Sequence, residues 1–431
     1  MLNFSMIQLL RKNGNKVDKT VRQELIGFYR PFRSIPCFLH RPIEIFRKKV
    51  KKMPILIEFE SNSFTAGMSE IQGKCSQLRE LPLISSCSAK TSVENIEYLL
   101  TNCSHIKKIH YDRKMTALLD TAVPSIHADQ LQQAGWTGKD VTIAVVDTGI
   151  HPHPDLEDRI LGFSDLVNGR SETYDDNGHG THCAGDAASN GAQSAGQYQG
   201  PAPEANLVGV KVLDKMGAGS LSTVIEGIQW CIDNQSAYNI RVLSLSLGSE
   251  AVESAEDDPA VQAVNRAWQS GIAVFAAAGN SGPDPQSIAS PGISPMIITV
   301  GAVDDNDTAQ RSDVTVPDFS SRGPTIDEEV KPDLLAPGVN IVSLRSPGSF
   351  IDKTNKGARV GSDYISLSGT SMATPICAGV AAQLLEQDRE RSPDDIKTLL
   401  LEASEDIGQP PNVQGNGYLN ASELLPEEQT D

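Results

Sequence analysis

Five short, near-continuous apolar runs recur at residues 141–146, 207–212, 242–247, 272–277 and 296–300. A strand with one wet face alternates apolar and polar side chains, whereas a strand covered on both faces does not. The runs therefore predict strands of a parallel sheet with helices on both sides. Helical stretches lie between them, at 221–234 and 259–270. The expected fold class is α/β, a doubly wound parallel sheet, in which sites form beyond the C-terminal ends of the strands. Near the end, Ser392-Pro393-Asp394-Asp395 reads as a helix start: a Ser cap, Pro at the first position, then acids in the first turn.

The first 120 residues have a different character. They hold 20 Lys+Arg against 11 Asp+Glu, while residues 121–431 hold 17 against 44. A basic arm is thus joined to a strongly acidic body, in a chain whose formal net charge is −18. The asymmetry fits either a nucleic-acid or membrane arm, or two parts that attract each other. The basic residues do not form a compact patch interleaved with aromatics, so the second reading is favoured and neither nucleic acid nor membrane is expected as a partner. Residues 1–52 read as one or two short basic amphipathic helices broken by Pro31, Pro36 and Pro42. Residues 53–117 read as a small β-α-β-α-β unit of ferredoxin-like type, with strands at 55–59, 83–89 and 106–111. A helix at 92–100 is signalled by Ser92 as its cap and Glu94 in its first turn. A linker is expected near residues 118–125.

Seven scattered cysteines in 431 residues make no disulfide framework and fit a reducing compartment. The apolar stretch at 6–10 has its basic residues after it, the wrong order for a secretory leader, and is too short for one. No run approaches the ~18–20 apolar residues of a membrane helix. The expectation is a cytoplasmic protein.

Three segments carry chemistry. In Ala144-Val145-Val146-Asp147-Thr148-Gly149, an acid ends a buried strand; alone it reads equally as an Asx-turn. In Asp176-Asn177-Gly178-His179-Gly180-Thr181-His182-Cys183, two histidines stand among small residues at a helix start. One could serve as a general base, or His179, His182 and Cys183 could hold a metal. In Ser368-Gly369-Thr370-Ser371-Met372-Ala373-Thr374-Pro375, a hydroxyl opens a small-residue helix at 372–385. Ser371 there is either a nucleophile at the positive helix end or an N-cap.

Together the three segments resemble the catalytic motifs of the subtilisin-like (subtilase) serine proteases, in the Asp, His, Ser order known for subtilisin itself. Ala277-Ala278-Gly279-Asn280, Ser290-Pro291-Gly292, Phe319-Ser320-Ser321-Arg322-Gly323-Pro324 and Leu335-Ala336-Pro337-Gly338 extend the resemblance over residues 121–425. It implies a serine endopeptidase with Asp147, His179 and Ser371 as its triad and a polypeptide as substrate. It implies Asn280 and the Ser371 N–H as the oxyanion donors, and a structural role for His182. Ser246-Leu247-Gly248 would line the substrate strand, with Ala278-Gly279 and Ala289 shaping a P1 pocket biased to apolar side chains. Cys183 would be a free thiol beneath the catalytic histidine, or simply a small buried apolar residue.

The acidic stretch 250–258 reads as a solvated loop, or as a feature favouring basic substrates. Residues 53–117 resemble the family's inhibitory propeptide, which would make this chain's own N-terminal part a partner of its body. Residues 1–52, with no leader, resemble the intracellular AprX-type proteases. The resemblance implies no required cofactor and leaves calcium, common in the family, as an open reading. Asp155 matches a calcium-ligand position of some members, but the loop at 190–200 lacks the acids that calcium wants. Two rivals remain: a non-catalytic binding protein of the same fold, and a metal-dependent hydrolase.

Overall fold

The computed structural model describes residues 6, 9–10, 13, 16–17, 19–29, 31–32, 37–60, 63–81, 85–111, 122–306 and 308–426. The chain divides into two compact units, residues 1–115 and 116–431. Part of the expected linker, residues 118–121, lies outside the described residues.

In the first unit, β1 (Lys52–Phe59), β2 (Ser76–Leu81), β3 (Ser86–Ser92) and β4 (Ile106–Tyr111) form an antiparallel sheet of order β2-β3-β1-β4. Along β1, Met53, Ile55, Ile57 and Phe59 are buried at every second position, the period of one covered face. Helices Phe64–Ile71 and Val93–Asn102 link β1 to β2 and β3 to β4. Ser92 caps the latter, its side chain accepting from Asn95 N at 3.2 Å. The strand expected at 83–89 begins at Ser86, and the edge strand β2 was not expected at all. Basic helices occur at Lys19–Phe28 and Cys37–Val50. Val21, Leu25, Phe28 and Phe32 share one core with the sheet residues. Pro42 corrects the expected break: it lies inside the Cys37–Val50 helix. Pro36 lies outside the described residues.

In the second unit, nine strands form one sheet: β5 (Thr142–Asp147), β6 (Ile160–Asp165), β7 (Asn206–Lys211), β8 (Ile240–Leu245), β9 (Ala273–Ala277), β10 (Ile298–Val303), β11 (Leu334–Pro337), β12 (Ser404–Glu405) and β13 (Tyr418–Leu419). Their order is β12-β13-β11-β10-β9-β8-β5-β7-β6. Eight run parallel and β12 pairs antiparallel at the edge. Every residue of β5, β9 and β10 is buried, as strands covered on both faces must be. The five expected strands are β5, β7, β8, β9 and β10. From β5 the chain moves to β6 and β7 on one side, then returns to β8 on the other. This reversal opens a crevice at the C-terminal ends of β5 and β8. Ser392 caps the Pro393–Glu402 helix as expected, and Asp395 completes a capping box with it.

Candidate active site

Asp147 is the last residue of β5, and its side chain is 1% exposed. A buried carboxylate must be paired or hydrogen-bonded. Its Oδ1 accepts from Thr148 N at 2.7 Å, and both carboxylate oxygens face His179 Nδ1, at 2.8 and 2.9 Å.

His179 opens the His179–Ala188 helix. Gly178 caps that helix at φ 103°, a left-handed conformation that favours glycine. Gly180 explains how the helix comes so near β5: a Cβ there would collide with the Gly149 carbonyl and press on Asp147. The preceding loop is anchored by the buried Asp175. Its Oδ1 accepts from Thr148 Oγ1, Asn177 N and Gly178 N, and its Oδ2 from Thr181 N and Oγ1. Burial, the largest single influence, acts to lower the His179 pKa, but the adjacent Asp147 carboxylate and Cys183 together raise it, and the net value lies well above 6.5. With Nδ1 committed to Asp147, Nε2 is the nitrogen that can take up or release a proton.

His182, one turn on, faces elsewhere. Its Nδ1 meets Asp186 Oδ2 at 2.9 Å, and its Nε2 meets the carbonyls of Ile341 and Ile365, both at 3.1 Å. The buried ring cross-links the helix to two strands and takes no part in a cluster with His179. The group of potential metal ligands found among the described residues is instead Asp147, His179 and Cys183, with ligand atoms within 4.8 Å of one another.

Ser371 does not cap its helix. The helix runs Thr370–Gln387 with Gly369 as its cap, so Ser371 sits in the first turn, where backbone N–H groups have no helical acceptor. Pro375, four residues on, has no N–H to give to the Ser371 carbonyl. Two side chains address that carbonyl instead: Ser246 Oγ at 2.7 Å and Cys183 Sγ at 3.4 Å. Ser371 Oγ donates to the Ser246 carbonyl at 3.3 Å. Cys183 Sγ is also 3.8 Å from His179 Nδ1, so one buried thiol touches both the histidine and the serine segments. Burial pushes that thiol up to about 11, so it is uncharged at neutral pH.

Asn280 follows β9. Its Oδ1 accepts from Thr370 N at 2.9 Å and from Thr370 Oγ1 at 3.2 Å. The amide is thereby turned so that its donor end, Nδ2, is the end not bound by Thr370. Thr370 was not singled out from the sequence, although it precedes Ser371 directly.

Two cavities flank residues 246–249. One, of about 640 Å³, is lined by Ser246, Leu247, Gly248, Gly279, Asn280, Ala289 and Ser371. Glu250 and Asp284, both exposed, line it too. Ala278 does not: it packs behind, in a cluster with Val261, Ile288 and Ile293. The other, of about 540 Å³, is lined by His179, Leu247, Gly248, Leu221, Phe350 and Ile351, among others. Of the acidic stretch, Asp258 caps the Pro259–Gln269 helix, accepting from Ala260 N and Val261 N.

Asp155 is fully buried, and protein donors occupy its carboxylate. Oδ1 accepts from Gln193 N at 2.9 Å, and Oδ2 from Tyr364 OH at 2.6 Å and Ser189 Oγ at 3.1 Å. The nearby loop brings no second carboxylate to it, so these residues do not fit a calcium cage.

Comparison with known proteins agrees with this geometry. The subtilase family model matches residues 138–417. The chain is 50% identical over 441 residues to the serine protease AprX of Bacillus subtilis (strain 168), covering 99% of this chain and all of that protein. It is 37% identical over 299 residues to subtilisin Savinase of Lederbergia lenta, covering 69% of this chain and 96% of the relative. Among solved structures, the S41 psychrophilic protease has a TM-score of 0.56 at 32% identity, covering 66% of this chain and 92% of its own. A family match across most of the second unit, together with a full-length relative, fixes the assignment: this chain is a hydrolase of the subtilase family of serine proteases, homologous to the AprX type.

Proposed function

We propose that the chain is a serine endopeptidase in which Ser371 Oγ attacks the scissile carbonyl. His179 Nε2 takes the Ser371 proton and later gives it to the leaving amine, while Asp147 holds the imidazole and stabilises its charged form. The acyl-enzyme on Ser371 is then hydrolysed by water through the same steps. Asn280 Nδ2 and the Ser371 N–H bind the oxyanion. The observation that carries this reading is the bond of His179 Nδ1 to both oxygens of buried Asp147, beside the segment that holds Ser371.

Substrate adds as a strand beside residues 246–248, with its P1 side chain in the cavity that Ala289 and Gly279 line. Small residues there leave room for apolar P1 groups. Glu250 and Asp284 extend acceptance to long basic side chains with apolar stems. Residues 53–111 have the βαββαβ order of a ferredoxin-like unit, and the excess of base in residues 1–52 ahead of them, 13 Lys+Arg against 3 Asp+Glu, supports a propeptide-type role of the N-terminal part toward the acidic body. The likeness to AprX and the scattered cysteines support a cytoplasmic setting. Among the described residues no helix is long and apolar enough to cross a membrane.

The test is a triad series on a chromogenic peptide. S371A, H179A and the double variant should each lose about the same factor in kcat, because groups that act as one unit are not additive. Additive losses would contradict the reading.

A further inference from the structure

We infer that Phe350 and Ile351 form a wall of the substrate cleft beside His179 and select an apolar side chain at P2. The inference rests on the reading of Ser371 as nucleophile and of residues 246–248 as the substrate strand.

Successive side chains of an extended peptide point to opposite sides. With P1 in the cavity on the Asn280 side, P2 faces the other cavity, the one that His179 borders. Phe350 and Ile351 line that second cavity and are only half-buried, so apolar surface is left over for an occupant.

Their position is rigidly specified. Phe350 N donates to Asp176 O and Ile351 N to Asn177 O, both at 2.9 Å. Ser346 Oγ donates to Asp175 O at 2.7 Å. Each of these acceptors lies in the loop that leads into His179, and Asn177 Oδ1 in turn accepts from His179 N at 3.1 Å. A Cβ on Gly178 would come within 2.7 Å of Ser349 Oγ, so the two segments lie in close contact.

The wall has its own clamp. Asp352, 3% exposed, takes Arg345 Nε at 2.6 Å and Gly348 N at 2.8 Å. Arg359 Nε lies 2.6 Å from the same carboxylate, and Arg359 Nη2 donates to the Asp352 carbonyl at 2.8 Å. A charged group so bonded fixes the short Phe350–Thr354 helix, and with it the two side chains that precede Asp352. Selection by a preorganised wall needs this rigidity, since a mobile wall would adapt to any P2 residue.

The experiment uses the full chain and peptides that vary P2 (Gly, Ala, Leu) at constant P1, and P1 at constant P2. The wild type should prefer Leu over Gly at P2. Phe350→Ala and Ile351→Thr should each reduce the Leu/Gly ratio of kcat/KM by about tenfold or more, the scale of one methylene in an apolar pocket. The P1 ranking should not change. Asp352→Asn should flatten the P2 preference while sparing the P1 ranking. An unchanged P2 ratio in both wall variants, or a shift in P1 ranking instead, would overturn the inference. Failure of the wild type to cleave any peptide would instead count against the reading of Ser371.

Discussion

Ser246 and Ser371 exchange hydrogen bonds: Ser246 Oγ donates to the Ser371 carbonyl at 2.7 Å, and Ser371 Oγ donates to the Ser246 carbonyl at 3.3 Å. The first bond exists because Pro375 cannot donate to that carbonyl along the helix. The serine turn is thereby tied to the end of β8, the segment assigned to substrate. Pro375→Ala would restore a helical N–H. Proline in a helix interior costs about 3 kcal/mol relative to alanine, so P375A should raise the thermal midpoint by about 2 °C or more. It should also lower kcat, because the new N–H competes with Ser246 for the carbonyl. Calorimetry and steady-state kinetics on one preparation decide it. A more stable enzyme with unchanged kcat would make the link incidental.

The pH profile follows from His179. Burial lowers its pKa, Asp147 and Cys183 together raise it, and the net value is well above 6.5. A protonated imidazole cannot accept the Ser371 proton. The acid limb of kcat/KM should therefore lie on the alkaline side of 6.5, with activity rising through it. Asp147→Asn should move the limb to lower pH and reduce kcat by about 10⁴, the loss known for the same change in another serine-protease triad. For stability the sign is opposite: His179 contributes fully below about pH 6.5, and its contribution fades as pH rises through the raised folded value.

Cys183 should make the enzyme sensitive to mercury but not to alkylation. Its thiol, pushed up to about 11 by burial, is protonated near pH 7 and poorly nucleophilic toward iodoacetamide. Mercury displaces the proton and would sit against His179 and the Ser371 carbonyl. Stoichiometric mercuric ion should abolish peptide hydrolysis in the wild type and spare Cys183→Ala. Equal inhibition of both would place the effect elsewhere.

Asp155 is satisfied by Gln193, Ser189 and Tyr364 rather than by a cation. Chelation should thus leave the unfolding temperature unchanged. Tyr364→Phe should destabilise by about 1–3 kcal/mol, the cost of stripping a donor from a buried carboxylate. Denaturant titration with and without calcium measures both, and a calcium-dependent gain in the wild type would argue against this account.

Much of this was legible before any coordinates. Runs covered on both faces gave the central strands, because burial on two sides removes the polar positions. Ser392 announced its helix because capping is local chemistry. The edges were harder. Ser76-Gln-Leu-Arg-Glu-Leu81 is polar as edge strands often are, and β11, although an inner strand, is only four residues ending in proline. Pro42 misled because tertiary packing can override a local breaker. At the site, the motifs marked Asp147, His179, Asn280 and Ser371. Thr370, the double contact of Cys183, and Phe350 with Ile351 depend on which distant segments meet. Pro375 was the one visible hint that the carbonyl of Ser371 lacks a helical donor.

The central claim is that Ser371 is activated by a His179 that Asp147 holds. It is tested most directly by fluorophosphonate labelling followed by peptide mass spectrometry. The account predicts one label per chain on the peptide containing Ser371, parallel loss of activity, and labelling slowed by about 10³ or more in His179→Ala. A label on another residue, or full peptidase activity with Ser371 modified, would contradict it.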